Sequence, residues 1–216
     1  MTAIYRSCIP ARPQDVPSVV HVHIAAFPGF FLTSLGPAFL RTMYRAFLSN
    51  AGGVFVVARA NQDVQGFAVG VLESTGKDRA LALRYLPQFL ISVIPGFIKN
   101  PIKVSRRILS QFFAVGEQIT IPDDAAVLRS IGILPDARGT GIAGDLLREF
   151  ERCSFIKGAR SVALTTDALD NARAITFYQK NGYEVAQEFM QDKNRRMLLM
   201  LKKLDINSFQ LRTGSL

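Results

Sequence analysis

A strand that leads directly into a glycine-rich turn and a helix, at residues 127–150, constrains the fold of this chain more than any other segment. β-branched and aliphatic residues, among them Val127, Ile131 and Ile133, predict the strand, and Pro135 ends it. The helix is predicted from apolar side chains that recur at helical spacing, namely Ile142, Leu146, Leu147 and Phe150. A strand, a turn and a helix in this order are typical of an α/β sheet protein.

The turn between this strand and this helix favours binding of an anion. Gly139 and Gly141 have no Cβ atoms, so their backbone can approach a ligand closely. Their N–H groups also lie at a helix N-terminus, where unpaired donors and the helix dipole favour phosphate. Glycine also occurs in such turns for steric reasons alone. The spacing matches neither the Walker phosphate loop nor the dinucleotide-binding fingerprint, so those two classes of nucleotide site are excluded.

Two motifs together indicate which phosphate ligand this is. The run Leu134-Pro135-x-x-Arg138-Gly139-x-Gly141-x-Ala143 resembles the acyl-CoA loop of the GNAT superfamily of N-acetyltransferases. A later block, Asn171-x-x-Ala174-x-x-Phe177-Tyr178-x-x-x-Gly182-Tyr183, is similar to a second motif of the same family. The resemblance covers roughly residues 54–76 and 117–203. It implies an α/β (α+β) fold with a central, mixed, mostly antiparallel twisted sheet flanked by helices.

The resemblance also implies a role for each matching residue, with acetyl-CoA as co-substrate and no metal. Backbone groups of Ile131, Gly132 and Ile133 would pair with pantetheine, and the Ile133 N–H would polarise the thioester oxygen. Asn171 would touch the pantetheine arm or shape the start of its helix. Tyr178 would contact the cofactor and act as general acid, because a phenol of pKa about 10 suits a departing thiolate. The pyrophosphate would be held at Arg138, Gly139, Thr140, Gly141, Ile142 and Ala143.

The general base is the one catalytic group that the resemblance does not supply. Many relatives place a glutamate at the position of Arg129, and arginine cannot accept a proton under ordinary conditions. Glu73, before a long insertion, and Glu117, just after it, are the first alternatives, and His21 or His23 follow. The two histidines are two residues apart, so they point to different faces and do not form a paired metal site.

Element predictions for the rest of the chain follow from apolar patterns and turn residues. We expect a single GNAT acyltransferase domain at 1–204 and a C-terminal tail at 205–216. The expected strands are 3–9, ended by Pro10, then 54–59, 64–72, 127–134, 160–166, 182–189 and 196–203. Helices are expected after Asp15, over 34–48, after the glycine turn, and after Asp170 or Asn171. The aromatic turn at 27–33 would border the acceptor site.

An insertion at 77–115, between the third and fourth strands, is apolar and basic and is predicted to be helical. It leaves three interpretations open: a lid over an anionic acceptor, an element resting on anionic lipid, or a helical hairpin packed on the sheet or on a second subunit. Its apolar part, 86–98, is too short to span a bilayer. Over 77–110 one acid, Asp78, stands against seven basic residues: Lys77, Arg79, Arg84, Lys99, Lys103, Arg106 and Arg107.

These patterns predict an acetyl-CoA-dependent N-acetyltransferase that acts on a primary amine. The acceptor stays open, and the basic insertion favours an anionic one such as a nucleotide-linked amino sugar. An alternative is a non-catalytic acyl-CoA-binding protein of the same fold that works at a membrane surface or as a regulator. Nucleic acid is not expected as a partner, since no recognised binding motif is present. Because no secretory signal is seen and the only cysteines are Cys8 and Cys153, we expect a cytoplasmic protein. Peripheral contact with the inner face of the membrane and a homodimer are both left open.

Overall fold

The computed structural model describes residues 6–73, 119–192 and 195–205. The predicted insertion at 77–115, Glu117 and most of the tail lie outside these residues. The helices are α1 Val16–Ala26, α2 Phe31–Ser34, α3 Pro37–Ser49, α4 Ile142–Ile156 and α5 Ala172–Lys180. The strands are β1 Arg6–Pro10, β2 Gly53–Ala60, β3 Asp63–Leu72, β4 Ala125–Ile133, β5 Ser161–Asp167, β6 Glu184–Asp192 and β7 Arg195–Lys203.

The described strands form one mixed sheet in the order β1-β2-β3-β4-β5-β7-β6. Every neighbouring pair is antiparallel except β4 and β5, which run parallel and are joined by α4. The predicted fold class, a mostly antiparallel mixed sheet flanked by helices, is therefore confirmed. The parallel pair lies in the middle of the sheet, directly beside the glycine turn.

Each face of the sheet is covered by a different group of helices. On one face, α1 and α3 bury Val19, Leu40 and Tyr44 against Phe55 and Phe67 of the sheet. On the other face, α4 buries a second apolar cluster, and α5 packs against the edge of that cluster. The α4 cluster is centred on Leu146, Leu147, Phe150, Val162, Leu164 and Met200. Burial of aliphatic side chains on both faces is the main term that stabilises a three-layer domain of this kind.

Two element boundaries differ from the sequence predictions. Pro10 does not end β1 but is its last residue, paired with Val56; β1 is an edge strand, where a missing N–H is tolerated. The helix predicted over 34–48 is interrupted, because Gly36 adopts a positive φ of 91° and Pro37 starts a new helix at its first position. Residues before Arg6 lie outside the described part of the chain.

Candidate active site

The parallel strands β4 and β5 separate part-way along their length. They pair from Ala125 with Ser161 to Leu128 with Leu164, yet β4 continues to Ile133 and β5 to Asp167. The separation begins at a bulge in β4: Val69 pairs with Ser130 and Gly70 with Leu128, which leaves Arg129 as the extra residue. Beyond this bulge, the two strands leave a gap in the middle of the sheet.

Backbone groups of β4 line one side of this gap. The Leu134 N–H donates to the Gln65 carbonyl on β3 at 2.8 Å, so Leu134 faces the β3 side. Backbone polar groups point alternately to the two sides of a strand, which turns the N–H groups of Ile131 and Ile133 toward the gap. An extended ligand that carries amide groups can therefore add to β4 as a further strand would.

The glycine turn after β4 has the geometry of an anion site. Gly139 and Gly141 take φ values of 79° and 90°, which side chains other than glycine adopt only with strain. A Cβ atom at either position would meet no atom of the described chain within 4 Å, so this surface of the turn is open. The Gly141 carbonyl accepts from the N–H groups of Gly144 at 3.0 Å and Asp145 at 3.1 Å.

The N–H groups of Ile142 and Ala143 precede these first helical bonds and belong to the donors that a helix start leaves for capping groups or ligands. The Thr140 hydroxyl donates to the Ala137 carbonyl at 2.6 Å, which fixes the turn from within. Arg138 is exposed directly before the two glycines. This combination of backbone donors and one cation suits a diphosphate at the start of α4.

Helix α5 places Asn171 and Tyr178 beside the second strand of the gap. Asn171 occupies the N-cap position, and its Nδ2 donates to the Thr166 hydroxyl of β5 at 2.6 Å. Tyr178 is half-buried, packs against the α4 cluster as Ile131 and Ile133 do, and has the Tyr183 ring 5.7 Å away. Burial raises the pKa of Tyr178 to about 12, above the ordinary phenol value of 10. The phenol therefore stays protonated at neutral pH and can act as a donor.

The opposite face of β4 is lined by aromatic rings. A Cβ atom at Gly132 would lie 2.9 Å from Phe27 and 3.0 Å from Phe67, so only glycine fits beneath these rings. Phe30, 56% exposed, stacks edge-on against Phe27 at 5.4 Å between ring centroids. The aromatic turn at 27–33, which the sequence predicts to border an acceptor site, thus lies against β4.

The predicted general bases occupy very different places. Glu73 follows Leu72, which pairs with Ala126, whereas Ser130 pairs with Val69. At roughly 3.3 Å per residue, Glu73 is about 13 Å along the sheet from Ser130, at the end remote from the gap. This register counts against Glu73 as the base, and Glu117 lies outside the described residues.

The two histidines point to different faces, as their spacing predicts. His21 is exposed and lines a shallow cavity of about 500 Å³ beside Leu134, together with Asp63 and Gln65. His23 is buried, and its Nδ1 lies 2.6 Å from the Tyr44 hydroxyl. The sequence motifs gave no signal for Tyr44, because its partner is distant in the chain and its neighbours have the pattern of an ordinary amphipathic helix.

A sequence profile described as an acetyltransferase (GNAT) domain matches residues 109–185, a range that contains β4, the glycine turn, α4, β5 and α5. This part of the chain is similar to GNAT acetyltransferases. The match supports the resemblance drawn from the two motifs, which implies an acetyl-CoA-dependent N-acetyltransferase.

Solved structures share the GNAT fold along almost the whole chain. The ribosomal-protein-S18-alanine N-acetyltransferase of Escherichia coli superposes with a TM-score of 0.57 at 14% identity, over 94% of this chain and 96% of that one. The PaiA N-acetyltransferase of Thermoplasma acidophilum, in complex with coenzyme A, gives 0.57 at 16% identity over 93% and 100%. Ard1 of Thermoplasma volcanium gives 0.58 at 15% identity over 93% and 98%. No curated protein sequence matches the chain.

Neither a metal cluster nor a membrane-spanning helix occurs in the described part of the chain. Residues 6–73, 119–192 and 195–205 contain no group of three His, Cys, Asp or Glu side chains placed to hold a metal ion. Among the helices in those ranges, none is long and apolar enough to cross a membrane.

Proposed function

We propose that the chain transfers the acetyl group of acetyl-CoA, bound in the gap between β4 and β5, to a primary amine that enters beside the aromatic turn at 27–33. The observation that carries this proposal is the end of the β4–β5 pairing at Leu128 and Leu164, directly before the open glycine turn. Pantetheine is an extended chain with two amide groups, and the free side of β4 offers it a partner of matching geometry.

The site residues are assigned the roles that follow from their positions. The N–H groups of Ile131 and Ile133, on either side of Gly132, hold the pantetheine amide and the thioester carbonyl oxygen. The amides of 139–143 and the charge of Arg138 hold the pyrophosphate. Asn171 stabilises the end of β5 through Thr166 and shapes the cofactor side of α5.

Transfer then proceeds by attack of the neutral amine nitrogen on the thioester carbon. A C–N bond forms, the carbonyl becomes an oxyanion at the β4 N–H groups, the nitrogen gives up one proton, and the C–S bond breaks as the carbonyl re-forms. The leaving sulfur takes a proton from the Tyr178 hydroxyl. Burial raises the pKa of Tyr178, so the phenol holds this proton in the resting enzyme, and it regains a proton from solvent after the transfer.

The acceptor is proposed to be a large anionic amine, such as a nucleotide-linked amino sugar. Two features support this: the exposed Phe30 beside Phe27 offers an apolar surface next to the gap, and the 77–110 segment adds six net positive charges by sequence. A cluster of basic side chains raises the local concentration of an anionic substrate.

Arg129 favours a second candidate function. A protein with this fold and arginine at the usual position of the basic glutamate could bind acyl-CoA without turnover and act as a regulator or at an anionic membrane surface, alone or as a homodimer. The protonated Tyr178 and the open glycine turn favour an enzyme over this non-catalytic alternative.

Release of free thiol from acetyl-CoA separates the two candidates. The panel should contain a UDP-linked amino sugar, glucosamine 6-phosphate, spermidine and an N-terminal alanyl peptide. The enzyme proposal predicts turnover with at least one amine, highest for the anionic sugars. CoA binding by calorimetry without thiol release from any amine would support the non-catalytic alternative.

A further inference from the structure

A chain of three polar side chains connects the β4 bulge to a buried histidine on the acceptor face. Tyr44 is fully buried on α3, and its hydroxyl lies 2.6 Å from His23 Nδ1. Burial is the main influence on the pKa of Tyr44 and raises it, and the Ser130 hydroxyl, next to the bulged Arg129, acts on the same phenol in the opposite direction, which places the Ser130 side chain toward Tyr44. Ser130, Tyr44 and His23 therefore form a continuous path from the mouth of the gap into the interior.

The far end of this path has an unexplained polar atom. His23 is 3% exposed, and among the described residues its Nε2 has no hydrogen-bond partner. A buried polar atom without a partner destabilises a fold by roughly 1–3 kcal/mol, and such atoms call for a functional explanation. The rings of Phe27, Tyr44 and Phe67 surround the imidazole and do not supply a charge.

We propose that Ser130, Tyr44 and His23 form a proton relay that replaces the missing glutamate and takes the proton from the acceptor amine. This rests on the proposed function. As the C–N bond forms, the amine proton passes to Ser130 Oγ while the Ser130 proton passes to Tyr44 Oη. The Tyr44 proton passes in turn to His23 Nδ1. Once the acetylated product has left, the imidazolium returns this proton from Nδ1 through Tyr44 and Ser130 to solvent at the gap, which restores the neutral ring with its proton on Nε2.

Burial keeps the relay in the correct charge state. Burial in this aromatic cluster lowers the pKa of His23 to about 4, so the imidazole is neutral at physiological pH and can accept a proton. That value is close to the ordinary pKa of about 4.3 of the glutamate found in relatives. Burial also raises the pKa of Tyr44, so this phenol passes protons on and does not lose its own to solvent.

Removal of single hydroxyl groups tests the relay against a merely structural role. Tyr44→Phe and Ser130→Ala should each lower kcat about 10²-fold on the best amine of the panel, with the KM for acetyl-CoA within about threefold of wild type. The double variant should be no slower than either single variant, because groups that act as one unit are not additive. Values of kcat within about threefold of wild type for both single variants, or multiplied losses in the double variant, would overturn the relay.

Matched controls exist elsewhere in the fold. Tyr183 is buried like Tyr44, but its hydroxyl donates to the Glu151 carboxylate of α4 at 3.0 Å. Ser154 is fully buried, and its hydroxyl donates to the Phe150 carbonyl at 2.7 Å. Tyr183→Phe and Ser154→Ala should cost a similar amount of stability and leave kcat within about threefold of wild type. If Tyr44→Phe does not fold, the partly exposed Ser130 still allows the decisive comparison.

Nitrogen-15 NMR of His23 tests the relay without any acceptor. A His21→Gln variant leaves His23 as the single histidine to observe. The relay requires a neutral imidazole at pH 6–7 that carries its proton on Nε2, so that Nδ1 accepts from Tyr44. A proton on Nδ1, or an imidazolium at pH 6, would overturn the relay. Absence of turnover with any amine would instead count against the proposed function, and the NMR result would still decide the relay.

Discussion

Gly141→Val should abolish useful CoA binding while the domain stays folded. Gly141 has a φ of 90°, a conformation that costs an ordinary side chain at least ~1–2 kcal/mol, so the turn should shift and carry the N–H groups of Ile142 and Ala143 away. Two hydrogen bonds to a charged phosphate contribute roughly 1.5–3 kcal/mol each. Their loss should raise the Kd for CoA by about 10²–10⁴-fold, as measured by isothermal titration calorimetry.

Gly158→Val is the matched control for this experiment. Gly158 follows α4 at its opposite end and has a φ of 101°, and a Cβ atom added there would likewise meet no atom of the described chain within 4 Å. Both variants should lose similar stability in urea, yet only Gly141→Val should lose CoA. If Gly141→Val binds CoA as wild type does, the pyrophosphate does not lie at this turn.

Three further predictions follow from the site and its surroundings. Tyr178→Phe should lower kcat by about 10²–10⁴-fold with little change in the KM for acetyl-CoA, because it removes a proton donor needed only in the transition state; a kcat within about threefold of wild type would leave Tyr178 as a packing residue. Burial lowers the pKa of the His23 imidazole from 6.5 to about 4 in the folded protein. Below pH 6.5 the unfolded chain therefore binds more protons at His23 than the folded protein does. Unfolding free energy should therefore fall by up to ~3 kcal/mol between pH 6.5 and 4, a slope that urea titrations should find reduced in His23→Gln but not in His21→Gln. Replacing four basic residues of the insertion with glutamine should leave CoA affinity unchanged and should lower kcat/KM for an anionic acceptor. If the segment rests on lipid, the same variant should instead co-sediment less with anionic vesicles. No change in either assay would leave the insertion a structural element. These residues are Lys99, Lys103, Arg106 and Arg107.

The elements next to the glycine turn were predictable because their signals are local. Apolar spacing in α4, the proline and glycines of 135–141, and Asn171 before α5 each act within a few residues of themselves. Gly182, which follows the end of α5, has a φ of 85° that favours glycine, so its signal is local too. The break at Gly36 and Pro37 also has a local signal, the Gly-Pro pair, but the apolar pattern that runs across it predicts one continuous helix.

The gap itself could not be predicted from the residues, because β4 and β5 are largely apolar up to the point where they separate and Ile131 and Ile133 continue the strand pattern of β4 beyond it. The positions of the other site residues depend on how the strands pair with one another, which local residue patterns do not reveal. Glu73 is close to β4 only through the pairing of Leu72 with Ala126, which places it at the end of β4 remote from the gap. Ser130, Tyr44 and His23 meet across three elements that no local pattern connects.

Amide hydrogen exchange with and without CoA tests the central claim most directly, since it reports on the backbone groups that are assigned to the cofactor. CoA bound in the gap should slow exchange at Ile131 and Ile133 and across residues 139–143, while the amides of Gly132 and Leu134, which face β3, change little. The β6–β7 pair at the sheet edge serves as an internal reference that should not respond. Saturating CoA without protection at Ile131, Ile133 and the glycine turn would contradict a cofactor site between β4 and β5.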